Sequence, residues 1–196
     1  MTLVNRRLAL SGLFSTIALM THTTALSAQQ VEQSLLRFVP NRMARYHIPG
    51  LSLACIHNGT VEWTQAFGIT RVGGEPVTPE TLFQASSISM PVTALAVLRL
   101  AEQGKLNLDV DVRQYLRSWK LPTSRFTEQK KVTLRELLSH TSGATVHGFG
   151  GYAAGKRVPM LVQVLNGESP ANSAPVTIDF VPGTKFRYAG GNYTII

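Results

Sequence analysis

The apolar residues between positions 31 and 46 recur every three or four residues. This spacing predicts a helix with one apolar face. Pro40 lies within the stretch and is expected to kink the helix, because proline removes one backbone hydrogen bond. The predicted apolar face consists of Val31, Leu35, Phe38, Val39, Met43 and Tyr46.

A β-hairpin is predicted directly after this helix. Two runs suited to strands, residues 51–57 and 60–69, are separated by Asn58-Gly59. These two residue types accept the positive φ angles that a two-residue hairpin turn requires. In the second run Val61 and Trp63 alternate with polar residues, as expected of a half-buried strand that buries both of them.

A second helix is predicted between a cluster of serines and Gly104. Almost every residue from 92 to 101 is apolar, so we expect this helix to be buried on most sides. Proline is tolerated only within the first turn of a helix, so Pro91 places the helix start between Ser86 and Ser89. Gly104 is expected to end the helix.

Two shorter helices complete the pattern. Thr133 and Glu136 form a capping box for a helix that ends in Leu137-Leu138. Residues 159–165 form the other, which Asn166-Gly167 stop. One hairpin followed by several helices indicates an α+β protein.

The first 27 residues are predicted to be a secretory signal peptide. Arg6-Arg7 precede an apolar zone at 8–20, which is followed by small residues. Cleavage after Ala25 or Ser27 would satisfy the small-residue rule, and the paired arginines fit either the twin-arginine route or an ordinary signal. Since the apolar zone is too short for a transmembrane helix, residues 28–196 are expected to be periplasmic or secreted, without a stable membrane span.

Composition narrows the classes of function. The chain has 196 residues, of which 44% are hydrophobic and 15% charged, as in a globular protein. The net charge is +8, but the basic residues are scattered, so nucleic-acid binding is not expected. Neither H-E-x-x-H nor C-x-x-C occurs, so we expect no metal and no cofactor. The single cysteine, Cys55, lies in an apolar run and is expected to be a small buried hydrophobe.

Ser87 is a candidate nucleophile because it lies at the predicted start of the second helix. Unpaired N–H groups and the positive end of the helix dipole favour a hydroxyl that must develop negative charge. Such a serine needs an adjacent base, which a lysine three residues later would supply, but that position is Met90. The alternative is that Ser86, Ser87 and Ser89 only cap the helix, as serine commonly does.

Several collinear segments of the sequence carry a family pattern. They are IPGLS at 48–52, NG at 58–59, TLF at 81–83, ASSIS at 85–89, LLSHTSG at 137–143, HGF at 147–149 and PGTKFRY at 182–188. Together they resemble the class C β-lactamase family, which includes β-lactamases, D-alanyl-D-alanine carboxypeptidases, D-amino-acid amidases and esterases. The resemblance implies a β-lactamase/DD-peptidase-like fold, with an antiparallel sheet flanked by helices and a helical subdomain.

The resemblance also implies roles for single residues. Ser87 matches the nucleophile of the family's S-x-x-K motif, and Tyr188 matches the tyrosine that moves the proton from serine to leaving group. We expect Asn192 and His147 to contact substrate. His140 is expected to support the site structurally, and its alternative is a role as a base.

Three features depart from the family pattern. Met90 stands at the lysine position, and its thioether cannot take a proton at neutral pH. Gly190 stands where the second motif, usually Y-x-N, has its asparagine. The sequence stops at Ile196, before the third motif of Lys or His followed by Thr-Gly, so residues 28–196 are expected to be the N-terminal part of a longer domain.

These observations favour an exported serine hydrolase that acts through an acyl-enzyme on a small-molecule or peptide substrate. The bond would be an amide or ester, as in a β-lactam, a D-amino-acid peptide or a simple ester. One alternative is a catalytically impaired pseudoenzyme that binds cell-wall peptides or a partner protein. The other is a truncated, nonfunctional product.

Overall fold

The structure is a computed structural model that describes residues 28–196. The predicted signal peptide, residues 1–27, lies outside the described residues. The chain divides into two compact units, one ending at Phe83 and the other spanning Gln84–Ile196. The candidate catalytic residues all belong to the second unit.

The first unit begins with helix α1, Ala28–Tyr46, which continues through Pro40. Of its predicted apolar face, only Val39 and Met43 are buried, whereas Phe38 and Tyr46 are exposed. The predicted apolar face of α1 is therefore only partly covered. Apolar spacing aligns side chains on one side of a helix, but each is buried only where another surface covers it.

The hairpin forms as predicted, with strand β1 at Gly50–His57 and strand β2 at Thr60–Gly68. The two turn residues have positive φ angles, 49° at Asn58 and 75° at Gly59, as this turn requires. The strands pair antiparallel. A carboxamide of β2 ties the hairpin to α1, because Gln65 donates a hydrogen bond of 2.8 Å to Glu32.

A β-bulge changes the face on which Val61 lies. Cys55 pairs with Trp63 but the next residue, Ile56, pairs with Val61, so β2 holds one extra residue between the two pairs. Adjacent residues of β1 face opposite sides, and their partners do the same. Trp63 and Cys55 are accordingly half-buried, while Ile56 and Val61 are exposed. The predicted burial of Val61 was wrong for this reason.

The second unit begins with a 3-10 turn at Ser86–Ile88 that leads directly into helix α2, Ser89–Glu102. The predicted start between Ser86 and Ser89 is thus confirmed, and Gly104 follows the helix with a φ of 71°. The prediction that α2 is buried on most sides was wrong, because Val97 is its only buried residue. Burial requires a partner surface, and the exposed apolar residues of α2 include Val92, Leu95, Leu98 and Leu100.

Four shorter helices follow: α3 at Arg125–Gln129, α4 at Leu134–Leu138, α5 at Leu161–Asn166 and α6 at Gly190–Ile195. The predicted capping box of α4 is present, since Thr133 and Glu136 bond to each other's backbone N–H groups. Gly167 ends α5 in the left-handed conformation. Helices α3 and α6 are short and were not predicted.

The core of the second unit lies beneath the loops and short helices. An isolated antiparallel β-bridge pairs Ala144 with Ile178, and both residues belong to this core. Helix α6 is fastened to α4, because Tyr193 donates a hydrogen bond of 3.0 Å to the carbonyl of Leu138. The buried apolar residues of this core are Val97, Val112, Trp119, Leu121, Val132, Leu134, Leu137, Ala144, Leu165, Val176, Ile178 and Ile195.

Candidate active site

Ser87 lies in the 3-10 turn before α2 and is exposed. Ala85 and Ile88 are the residues that precede the turn and the helix, and neither position carries a side-chain capping bond. The capping alternative for Ser86, Ser87 and Ser89 is therefore not supported. The backbone of Ser86 has a φ of 48°, an unfavourable value for a residue with a Cβ, directly before Ser87.

The hydroxyl of Ser87 is bonded to a tyrosine far along the chain. Tyr188 donates a hydrogen bond of 2.7 Å to Oγ of Ser87, across 101 residues of sequence. The same phenol lies 3.5 Å from Sδ of Met90. The three residues that the family resemblance singles out therefore meet at one point.

Ser87 and Met90 line a cavity of about 390 Å³. One wall is formed by the start of α2, including Ser87, Met90 and Thr93, and another by the start of α6 and the preceding loops. The wall is mixed in polarity, with hydroxyls beside aromatic rings. The lining from the loops and α6 comprises His147, Gly148, Phe149, Gly190, Tyr193 and Thr194.

His147 lies on the rim of this cavity. Its side chain is exposed, and its ring centroid is 5.1 Å from that of Tyr188. Its carbonyl accepts a hydrogen bond of 2.9 Å from the backbone of Gly190, which fixes the loop against the start of α6. A substrate contact by His147 stays a prediction that this position favours.

Asn192 lies behind the site instead of in the cavity. It is fully buried, and its side chain is occupied by protein partners. Its carboxamide oxygen accepts from Ser142, while its nitrogen donates to Nδ1 of His140 and to the carbonyl of Ala189, each at 3.1 Å. The predicted contact between Asn192 and substrate is not supported by this position.

His140 lies next to Tyr188. Its Nδ1 accepts hydrogen bonds from the backbone N–H of Ala189 and from Asn192, so the ring proton is on Nε2. Burial lowers the pKa of His140 below its usual value. Because Nδ1 is occupied by Ala189 and Asn192, the position of His140 favours structural support over a role as a base.

Gly190 has a steric reason to lack a side chain. A Cβ there would lie 3.2 Å from Cε2 of Phe149 and 3.3 Å from the carbonyl oxygen of His147. A side chain at residue 190 would therefore require Phe149 or the loop at His147 to shift by a few tenths of an ångström.

Phe149, Tyr193 and Thr194 line the cavity but were not singled out from the sequence as binding residues. Because α6 was not predicted, no spacing rule connected Tyr193 with the site. Burial raises the pKa of Tyr193, and the nearby Tyr188 adds to this effect.

Among residues 28–196, no group of three or more His, Cys, Asp or Glu side chains is arranged to hold a metal ion. Nor does any helix in that range have the length and apolar character to cross a membrane.

Comparison with known proteins identifies the family and the fold. A family model described as Beta-lactamase matches residues 35–196. The structure is similar to an octameric penicillin-binding protein homologue from Pyrococcus abyssi, with a TM-score of 0.64, 28% identity, and coverage of 84% of this chain and 37% of that one.

Two curated enzymes are also similar. An unguisins hydrolase from Aspergillus campestris is 28% identical over 169 residues, which are 83% of this chain and 30% of that protein. Esterase EstB from Burkholderia gladioli is 38% identical over 87 residues, which are 44% of this chain and 22% of the esterase. The chain spans about a third of the length of the curated relatives that it matches over most of its residues.

Proposed function

Because this chain belongs to the β-lactamase family of serine hydrolases, we propose that it is an exported hydrolase that cleaves an amide or ester through an acyl-enzyme. Ser87 is the nucleophile, and Tyr188 is the proton relay. The observation that carries the proposal is the 2.7 Å hydrogen bond between the two hydroxyls, formed at the wall of an open cavity.

The two hydroxyls suffice to balance the acylation step. Rotation of both reverses the observed bond, so that Ser87 donates to Tyr188 and Tyr188 donates to the leaving group. Oγ of Ser87 then attacks the carbonyl carbon, its proton passes to the phenol, and the phenol's own proton passes to the departing nitrogen or oxygen. Backbone N–H groups stabilise the oxyanion, and water releases the acyl group by the reverse relay.

The cavity supports a substrate with an apolar acyl portion and some polar groups. Phe149 and Tyr193 offer aromatic surface, whereas Thr93, Thr194 and His147 offer hydrogen-bonding groups. A β-lactam, a D-amino-acid peptide or a simple ester each has this character. The names of the curated relatives, one a hydrolase of unguisins and one an esterase, support a substrate with an acyl bond.

A pseudoenzyme that binds cell-wall peptides or a partner protein is the second candidate. Met90 favours it, because the thioether lies 3.5 Å from the phenol of Tyr188 at the position of the family lysine and cannot accept a proton. The pocket walls and oxyanion donors do not depend on that amine. Binding would therefore survive a loss of turnover.

Labelling with a fluorescent fluorophosphonate separates the two candidates. A serine hydrolase should be labelled at Ser87, as mapped by peptide mass spectrometry, and Ser87→Ala should abolish the label. Ser118→Ala is the matched control, because Ser118 is an exposed serine outside this cavity. If the protein binds acyl-D-alanine peptides in calorimetry but never labels at Ser87, the pseudoenzyme replaces the hydrolase.

A further inference from the structure

One residue, His140, holds the backbone on both sides of Tyr188. Arg187 donates its N–H to the carbonyl oxygen of His140 at 2.9 Å. Ala189 donates its N–H to Nδ1 of the same residue at 3.3 Å. Between these two bonds, the rings of His140 and Tyr188 pack with centroids 4.5 Å apart at an interplanar angle of 30°. His140 therefore contacts Tyr188 itself and both of its neighbours in the chain.

The backbone conformation of His140 is one that favours glycine. Its φ is 57°, and it ends α4 with hydrogen bonds from its own N–H to Leu137 and from Thr141 to Glu136. Helix α2 ends with the same two-bond pattern, and there the corresponding residue is Gly104. A side chain at such a position is unfavourable for the backbone, so the helix end alone gives no reason for an imidazole.

A buried network orients this imidazole. Asn192 donates to Nδ1 at 3.1 Å, and its carboxamide oxygen is held by the hydroxyl of Ser142. Ser142 in turn accepts a hydrogen bond of 3.0 Å from the backbone of Ala144. Both Ser142 and Asn192 are fully buried, and the polar side-chain atoms of both have protein partners.

We propose that His140 is a positioning residue, whose imidazole and carbonyl together keep the phenol of Tyr188 within hydrogen-bond reach of Ser87. Asn192 and Ser142 act behind it by fixing the plane of the ring. The proposal rests on the proposed function insofar as Tyr188 is the relay. It adds that a residue without contact to substrate sets the geometry of that relay, and small misplacements of a relay slow the reaction severely.

A double-mutant cycle tests this role against a merely structural one. His140→Gly removes the ring and introduces the residue that this backbone position favours, so folding should be retained. We expect it to slow acylation of Ser87 by about 10- to 100-fold, with a smaller change in probe affinity. In a Tyr188→Phe background, the same change should cost less than about twofold, because the group that His140 positions is already absent. An equal loss in both backgrounds overturns the proposal.

His47→Gly is the matched control. His47 also has a left-handed backbone, with a φ of 54°, but it is exposed and lies in the first unit. Its replacement should leave acylation unchanged, which would show that relief of the backbone is not the cause. His140→Asn, another residue that tolerates positive φ, serves as a second variant should His140→Gly melt at a lower temperature.

A measurement without substrate separates this proposal from the proposed function. In the native protein, a nuclear Overhauser contact should link the ring protons of Tyr188 to the β-protons of Ser87. It should disappear in His140→Gly and persist in His47→Gly. If the contact persists in His140→Gly, the positioning role is refuted. If no variant labels at Ser87 but the contact behaves as expected, the hydrolase proposal fails and the positioning role stands.

Discussion

The phenol oxygen of Tyr188 lies 3.5 Å from Sδ of Met90. A lysine ammonium at that distance would favour the anionic form of a phenol and could exchange protons with it, whereas a thioether does neither. In the proposed mechanism the nucleophile and the relay are therefore present, but residue 90 cannot assist the first proton transfer. Because of this contact, substitution of residue 90 is the most direct test of the mechanism.

Met90→Lys should accelerate acylation of Ser87. Positioned general-base help is worth ~10²- to 10⁴-fold, and we expect a gain in that range. The rate is measured in the full-length gene product with a chromogenic ester or β-lactam. Met160→Lys is the control, because Met160 is an exposed methionine outside the cavity. A Met90→Lys protein no faster than the native one would mean that the base lies elsewhere.

His140 should make stability depend on pH. The folded state lowers the pKa of His140 from the ordinary value of 6.5, so the unfolded chain takes up a proton first as the pH falls. The free energy of unfolding should therefore decrease as the pH drops below about 6.5 and towards the folded pKa. Urea denaturation at pH 7.5 and 5.5 measures this decrease.

Two substitutions measure how much of this decrease in the free energy of unfolding is due to His140. His140→Asn should show a smaller decrease between these pH values than the native protein. His47→Asn, at an exposed histidine with a similar backbone angle, should retain most of the native decrease. The same decrease in all three proteins would contradict the assignment to His140.

Gly143→Ala should destabilise the second unit. Gly143 has a φ of 85°, and an added Cβ would lie 2.6 Å from the carbonyl oxygen of Phe180. The left-handed backbone alone costs about 1–2 kcal/mol for a residue with a Cβ, and the contact adds to it. Gly155→Ala provides the comparison, because Gly155 has a φ of 77° but no atom within 4 Å of the added Cβ. Equal effects on the urea midpoint would show that the contact relaxes without cost.

Export should remove the start of the chain. The basic, apolar and small-residue zones before Ala28 predict cleavage that leaves an N-terminus between Leu26 and Gln29. Mass spectrometry of protein from the envelope fraction measures it. Leu13→Arg, which places a charge in the apolar zone, should block processing. An intact Met1 on native protein in the cytoplasm would refute the proposal.

Local features of this protein were predictable because each depends on a few adjacent residues. Asn58-Gly59 sets the hairpin turn through its own φ angles. Pro91 limits where α2 can begin, and Thr133 with Glu136 caps α4 within one helical turn. The family resemblance added Ser87 and Tyr188 as a pair, which periodicity alone does not connect.

Only the tertiary structure decided which side chains meet. The bond between Ser87 and Tyr188 joins residues 101 positions apart, so it depends on the packing of everything between them. The carboxamide of Asn192 could bind a substrate, yet in the folded chain it is buried and donates a hydrogen bond to His140. Likewise, α2 begins where Pro91 predicts, but whether its apolar residues are covered depends on surfaces distant in the sequence. Sequence patterns act over one turn or one strand pair, whereas burial and proximity arise from the whole packed chain.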